Sequence, residues 1–411
     1  MPALLLANLL GYVVFVGAGR LLGPADFAVF AAFWGLLFAF GGMTASVEQE
    51  SARLVAAGTP ARDPRLLGAG LVVGAVLSTG LVVAYPVTVD RILAGSWALP
   101  GLVVVAGFGF CVQAVVRGSS LGIGDLRTYG GLIVGEAALR AAALGIVLAT
   151  AVVSPTTCAV AVTAGSFAWL AVLRQRRPQA DLDGGRPDLG PLLRRLSNLV
   201  VAAGFTAAVV TGFPALAAAF APPGQARELG VLLAALTITR LPLLLLGPVQ
   251  ALLVPEVVRR QAAGGSAAVR RLLGQVLTLA AGGSAVLAVA MLFVGPAGVR
   301  LVYGAEFTIA AGPLAAMTAG AGLVAVLLLL AAVLLALDRH SGVLRCWAAC
   351  FTVVVLTLSA PIEPFTTRAV LALVLGPLVG VAVASFTLAR VAGSVGRRAP
   401  AALHEQRTPP R

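Results

Sequence analysis

Apolar residues run along this chain in blocks of about twenty, separated by short clusters of arginine, glycine, proline and aspartate. A bilayer core about 30 Å thick is crossed by about 20 helical residues at ~1.5 Å each. Twelve segments meet that length: residues 3–20, 26–46, 66–86, 98–118, 129–150, 155–173, 196–218, 229–252, 272–294, 308–336, 343–360 and 367–389. Segment 308–336 exceeds a perpendicular crossing and predicts a tilted or kinked helix. The first 22 residues lack a basic n-region, and a second apolar block follows almost at once, so they read as a retained first helix. The pattern predicts an all-α polytopic membrane protein of about twelve transmembrane helices.

The longest polar stretch, RQRRPQADLDGGRPDLGP at 174–191, splits the spans six and six. Its proline, glycine and aspartate content reads as a flexible linker. The domain expectation is a six-helix bundle over 1–173, a cytoplasmic linker over 174–191, a second bundle over 192–390 and a disordered cytoplasmic tail over 391–411. A weak repeat relates the halves: DFAVFAA…VEQESARLVAAG (26–58) and ELGVLLA…LLVPEVVRRQAAG (228–264). It matches Glu50 with Glu256 and Arg53 with Arg259, and Asn8 and Asn198 fall in corresponding first spans. Both long elements occupy the second span of their half, so the repeat is parallel.

Of 411 residues, 59% are hydrophobic and 11% charged, against about 25% charged in soluble domains. Net charge is +13 and all 29 basic residues are arginine. The absence of lysine excludes a Walker A loop and a lysine Schiff base. With a cytoplasmic N-terminus, most arginines fall on the inner side, and only Arg20, Arg91, Arg227, Arg300 and Arg368 on the outer. This predicts a multi-pass protein of the cytoplasmic membrane with both termini cytoplasmic. The charge faces anionic headgroups from short inner loops, not nucleic acid. Two histidines and four cysteines in apolar stretches, without a C-x-x-C, give no metal-site pattern. No cofactor is expected.

Two elements carry a family resemblance. One is R-L-L-G-P-A-D-F at Arg20–Phe27, after an asparagine-bearing first helix, followed by E-x-x-R-L-V-A at Glu50–Ala56. The other is E-L-G-V-L-L-A-A at 228–235 with L-L-V-P-E-V at 252–257. The chain resembles the polysaccharide exporters, or Wzx-like lipid-linked oligosaccharide flippases, of the multidrug/oligosaccharidyl-lipid/polysaccharide exporter superfamily. The resemblance implies a MATE-like fold of two pseudo-symmetric six-helix bundles around a central cavity. It implies alternating access for a polyprenyl-pyrophosphate glycan, with its headgroup in the cavity and its tail in lipid.

Charges inside the spans supply the candidate chemistry. Arg240 lies eleven residues into span eight, ~16 Å deep, where a guanidinium costs about 2.5–3.5 kcal/mol to insert. Glu136 and Arg140 form an i, i+4 pair in span five. The expected substrate contacts are Arg240, Arg140, Arg20, Asn8 and Asn198. The expected coupling or gate residues are Glu136, Glu48, Glu50, Arg53, Glu256 and Arg259. The competing readings are structural pairing for Arg240 and Glu136–Arg140, a solvated helix end for Glu48, Glu50 and Arg53, an interfacial anchor for Arg20, and interhelical bonding for Asn8 and Asn198. Trp34, mid-span, reads as core packing, lipid contact or a sugar platform.

The leading expectation is a flippase for a polyprenyl-pyrophosphate-linked oligosaccharide in cell-surface polysaccharide assembly. It would be driven by an ion gradient, of protons or sodium, or by the membrane potential, with polysaccharide-assembly proteins as partners. The alternatives are a cation-coupled multidrug exporter of the same fold and a non-transporting scaffold. A membrane glycosyltransferase would need a long outer loop bearing acids, and none is visible.

Overall fold

The computed structural model describes residues 2–173 and 188–405; for Pro2, residues 391–405 and some positions between 245 and 269 it describes the main chain only. The expected linker at 174–187 and residues 406–411 therefore lie outside the described residues. All regular structure among the described residues is helical: α1 (Pro2–Ala56), α2 (Pro64–Val83), α3 (Tyr85–Val87), α4 (Ala98–Gly122), α5 (Leu126–Thr150), α6 (Pro155–Ala164), α7 (Leu189–Val210), α8 (Phe213–Phe220), α9 (Ala226–Thr239), α10 (Leu246–Tyr303), α11 (Ala311–Ala336), α12 (His340–Ser359) and α13 (Phe365–Glu405). A π-helical turn at Thr88–Ile92 and 3-10 segments at Gly165–Val172 and Leu241–Leu245 join them. Among the described residues, ten helical stretches are long and apolar enough to cross a membrane, and the first, Ala3–Ala56, holds two predicted spans. The chain is a multi-pass membrane protein.

Local chemistry explains where the elements depart from hydropathy. Spans one and two form α1, interrupted only at Gly23 (φ 71, ψ 171). That region of backbone space is essentially open to glycine alone. Pro24 follows and, lacking an N–H, leaves a carbonyl of the preceding turn without its donor. Span seven is divided between α7 and α8, which Pro214 opens. Span eight is also broken: α9 stops at Thr239, and Leu241–Leu245, which contains Pro242, tightens into a 3-10 turn. The expected loop at 253–271 is instead helical, inside the 58-residue α10. Its four alanines and four arginines favour helix. Likewise α13 runs on to Glu405, past Arg390, where a disordered tail was expected.

The chain forms two compact units, one of Met1–Thr237, Ala297–Ile309 and Glu363–Thr366, the other of Ile238–Pro296, Ala310–Ile362 and Thr367–Arg411. This division does not fall at the expected linker. The reason is packing: Leu192 and Leu196 of α7 join Val47, Val55, Leu66 and Val115 in one buried apolar cluster of the first unit. Aromatic rings fill another part of that unit. Phe27 meets Phe15 at 5.1 Å and Tyr303 at 5.5 Å, and Tyr303 meets Phe307 at 5.2 Å. In the second unit Leu253, Val257, Leu272, Leu329 and Val333 form a buried cluster. The four cysteines are free and buried.

Candidate functional site

The first unit holds a chain of alternating charges, built from three helices. Asp125 caps α5, its carboxylate accepting from the Thr128 amide at 2.9 Å. With the helix start fixed at Leu126, Tyr129 falls in the first turn, Glu136 ~15 Å and Arg140 ~21 Å along the axis. Glu136 and Arg140 pair across one helical turn. On α4, Gln113 and Arg117 have the same i, i+4 spacing. Gln113 Nε2 donates to Glu136 Oε2 at 2.5 Å, and Arg117 Nη1 donates to the same oxygen at 3.4 Å. Arg117 Nε lies 3.2 Å from Glu48 Oε2 of α1, and the Tyr129 hydroxyl donates to Glu48 Oε1 at 3.0 Å.

Two carboxylates thus face two guanidiniums, and the group carries no net charge. That balance is what a low-dielectric interior demands, since an unpaired buried ion is costly. Arg140 is the most enclosed member, 4% exposed. Its Nε donates to the Val162 carbonyl at 3.2 Å, and its guanidinium lies 4.9 Å from the Phe38 ring and 5.7 Å from Phe110. Such cation–π contacts strengthen on desolvation. Gly165 makes room for it, because any Cβ there would stand 2.5 Å from Arg140 Nε. Arg117 and Glu48 are more open, with side chains 21% and 14% exposed. The series therefore runs from a partly accessible end at Glu48 to a closed end at Arg140.

The other expected site residues are placed as follows. Glu50, 4% exposed, binds Arg53 through two contacts of 3.0 and 2.6 Å and Arg195 of α7 at 3.1 Å. In the second unit Glu256 binds Arg259 and Arg260, each at 2.6 Å. The residues matched by the repeat thus make the same i, i+3 ion pair, each acid also holding a second arginine. Arg20 is exposed and donates to the Leu301 carbonyl at 3.1 Å. Asn8 and Asn198 are exposed on α1 and α7. Trp34 is half-buried and stacks on Phe38 with ring centroids 4.5 Å apart.

Arg240, eleven residues into predicted span eight, stands at the break between α9 and the 3-10 turn, two residues before Pro242. It is half-buried, and its carbonyl accepts from the Leu243 amide at 2.9 Å. Pro242 has no N–H to offer the preceding turn, which is why the helix opens there. Arg140, expected to contact phosphate, is 4% exposed, pairs with Glu136 and donates from Nε to the Val162 carbonyl. Arg117 and Tyr129 were missed by the sequence reading. Hydropathy puts Arg117 at the end of a span, but its i, i+4 spacing from Gln113 is the signal that singled out Glu136 and Arg140.

No family model matches the chain. It is 33% identical over 400 residues to the uncharacterized protein Rv1510 of Mycobacterium tuberculosis (strain ATCC 25618 / H37Rv), covering 92% of this chain and 88% of the relative. It is 31% identical over 399 residues to the uncharacterized protein Mb3654 of Mycobacterium bovis (strain ATCC BAA-935 / AF2122/97), covering 93% and 89%. Among solved structures, an inward-facing multidrug resistance MATE family transporter of the MOP superfamily superposes with TM-score 0.72 at 14% identity, over 94% of this chain and 95% of that one. A MOP superfamily transporter from Pyrococcus furiosus, described as having a binding pocket of reverse polarity, gives 0.60 at 12% identity over 94% of each chain. The fold is that of the MATE transporters, as the resemblance implied.

Proposed function

Because this chain belongs to the family of mycobacterial proteins that includes Rv1510 and Mb3654, and has a MATE-type fold, we propose that it is a transporter. Its cargo in this reading is a polyprenyl-pyrophosphate-linked oligosaccharide, flipped across the cytoplasmic membrane by alternating access for cell-surface polysaccharide assembly. Arg240 carries the reading: a half-buried guanidinium at the point where an apolar span is broken open. Irregular main chain at membrane depth is tolerated where it lines a cavity or is buried in protein, and intramembrane charges mark transport paths. A guanidinium holds a pyrophosphate through paired charge-assisted hydrogen bonds.

Arg20, exposed near the end of span one, is a second contact for the departing headgroup, and Asn8 and Asn198 are sugar contacts. Glu48, at the accessible end of the charge series, takes the coupling proton or sodium ion, with Glu136 behind it. The pairs Glu50–Arg53 and Glu256–Arg259 act as matching gate elements. Both termini are cytoplasmic, inner arginines meet anionic lipid, and polysaccharide-assembly proteins deliver the cargo.

The second reading, a cation-coupled multidrug exporter, is favoured by the half-buried Trp34–Phe38 stack, whose ring faces suit an organic cation. Thermal stability of the purified protein in detergent separates the two, since a ligand of the folded state raises apparent stability. Under the flippase reading, polyprenyl-pyrophosphate glycans stabilise the protein and the effect is lost in Arg240→Gln. Stabilisation by cationic drugs alone overturns that reading. Stabilisation by neither, with normal surface polysaccharide in every arginine variant, favours a scaffold.

A further inference from the structure

A groove lies between α5 and the 3-10 segment Gly165–Val172, with a volume of about 580 Å3. Ligand sites typically fall in the range of roughly 300–1,000 Å3. On α5, Thr128, Gly131 and Gly135 line it at i, i+3 and i+7, so they share one helical face. A Cβ at Gly131 or Gly135 would meet nothing within 4 Å, so bare main chain forms the floor. Ala168 and Ala171 form the facing wall. The charged series uses the neighbouring face of α5, through Tyr129, Glu136 and Arg140, and leaves this one open.

The two ends of the groove differ in polarity. Arg127, in the first turn of α5, lines one end; it is exposed and makes no ion pair among the described residues. The Thr128 hydroxyl stands beside it. From there to Gly135 the lining is apolar over ~12 Å of helix. The start of a transmembrane helix lies at the headgroup level, and the rest of α5 descends into hydrocarbon. A site with a cation at the interface and an apolar trough beneath it matches one molecule of the bilayer. A free phosphate or sugar would leave the trough uncovered, and a neutral lipid would leave the guanidinium unmatched.

We propose that this groove is a binding site for an anionic phospholipid. Its phosphate sits on Arg127 and Thr128, and the upper part of one acyl chain runs along Gly131 and Gly135. The proposal is independent of the cargo assigned above. By the distribution of arginines, the lipid belongs to the cytoplasmic leaflet.

The test uses the full chain in neutral detergent, titrated with phosphatidylglycerol, with phosphatidylcholine of the same acyl chains, and with inorganic phosphate. Thermal melting and native mass spectrometry are the readouts. Phosphatidylglycerol is expected to raise the melting temperature and remain bound, and the other two to do neither. Arg127→Gln should weaken the effect about tenfold, the loss of one charge-assisted contact. Gly135→Leu, which fills the trough, should abolish it; if that variant fails to fold, Arg127→Gln alone decides. Equal effects of the two lipids, an equal effect of phosphate alone, or a phosphatidylglycerol effect left at full strength in Arg127→Gln each overturn the proposal.

Discussion

Arg140 lies across Gly165 so closely that a Cβ at 165 would stand 2.5 Å from Nε, 2.6 Å from Cγ and 2.9 Å from the Glu136 carbonyl oxygen. The side chain could swing aside, but the carbonyl belongs to a helix. Gly165→Ala should therefore push the 3-10 segment away from α5, at about 1–3 kcal/mol for an overpacked contact. A melting curve unchanged from the parent protein would show that the segment accommodates the methyl group freely.

Glu136 accepts from Gln113, Arg117 and Arg140. In Glu136→Gln, Arg140 keeps its burial and loses its counter-charge, so the cost should be about 3–5 kcal/mol. Adding Arg140→Gln should recover most of that loss, because it removes the stranded charge. The double-mutant cycle reads the coupling directly from four melting curves. Additive losses would mean that the two residues act separately.

Tyr129 and Arg117 both hold Glu48, but with different weight. Tyr129→Phe deletes one hydroxyl donor at a half-buried place and should cost about 1 kcal/mol. Glu48→Gln should cost more, since Arg117 then keeps only the longer 3.4 Å contact with Glu136. The same pair of variants tests coupling: if Glu48 takes the driving ion, Glu48→Gln loses gradient-driven uptake in vesicles while Tyr129→Phe retains it. The reverse order of effects would exclude Glu48 from that role.

Glu256 lies on α10 outside the apolar span that begins at Arg270. Its hydrogen bond from Arg260, reinforced by Arg259, holds its carboxyl below the usual carboxylate range. The folded pKa is depressed, so the pair contributes above the unfolded value of about 4.3 and is lost as pH falls through the lower folded value. Infrared difference spectra between the parent protein and Glu256→Gln should show a carboxylate that persists to lower pH than an ordinary glutamate. Protonation at the ordinary pH would mean that the two arginines do not hold it in solution.

What the sequence determined by itself is local. The run length of apolar residues set the number of crossings, because the bilayer core has a fixed thickness. Helical spacing paired Glu136 with Arg140, Glu50 with Arg53 and Glu256 with Arg259, because residues three or four apart on a helix meet wherever that helix lies. The tertiary structure decided what joins these pairs. Glu48 and Arg117 are 69 positions apart and Arg117 and Glu136 19 apart; no periodicity links them, and only the approach of α1, α4 and α5 does. That approach enclosed Arg140, left Arg117 partly open, and drew α7 into the first unit through Leu192 and Leu196. The break at Arg240 is again local, because Pro242 withholds the hydrogen bond a helix needs where hydropathy continues.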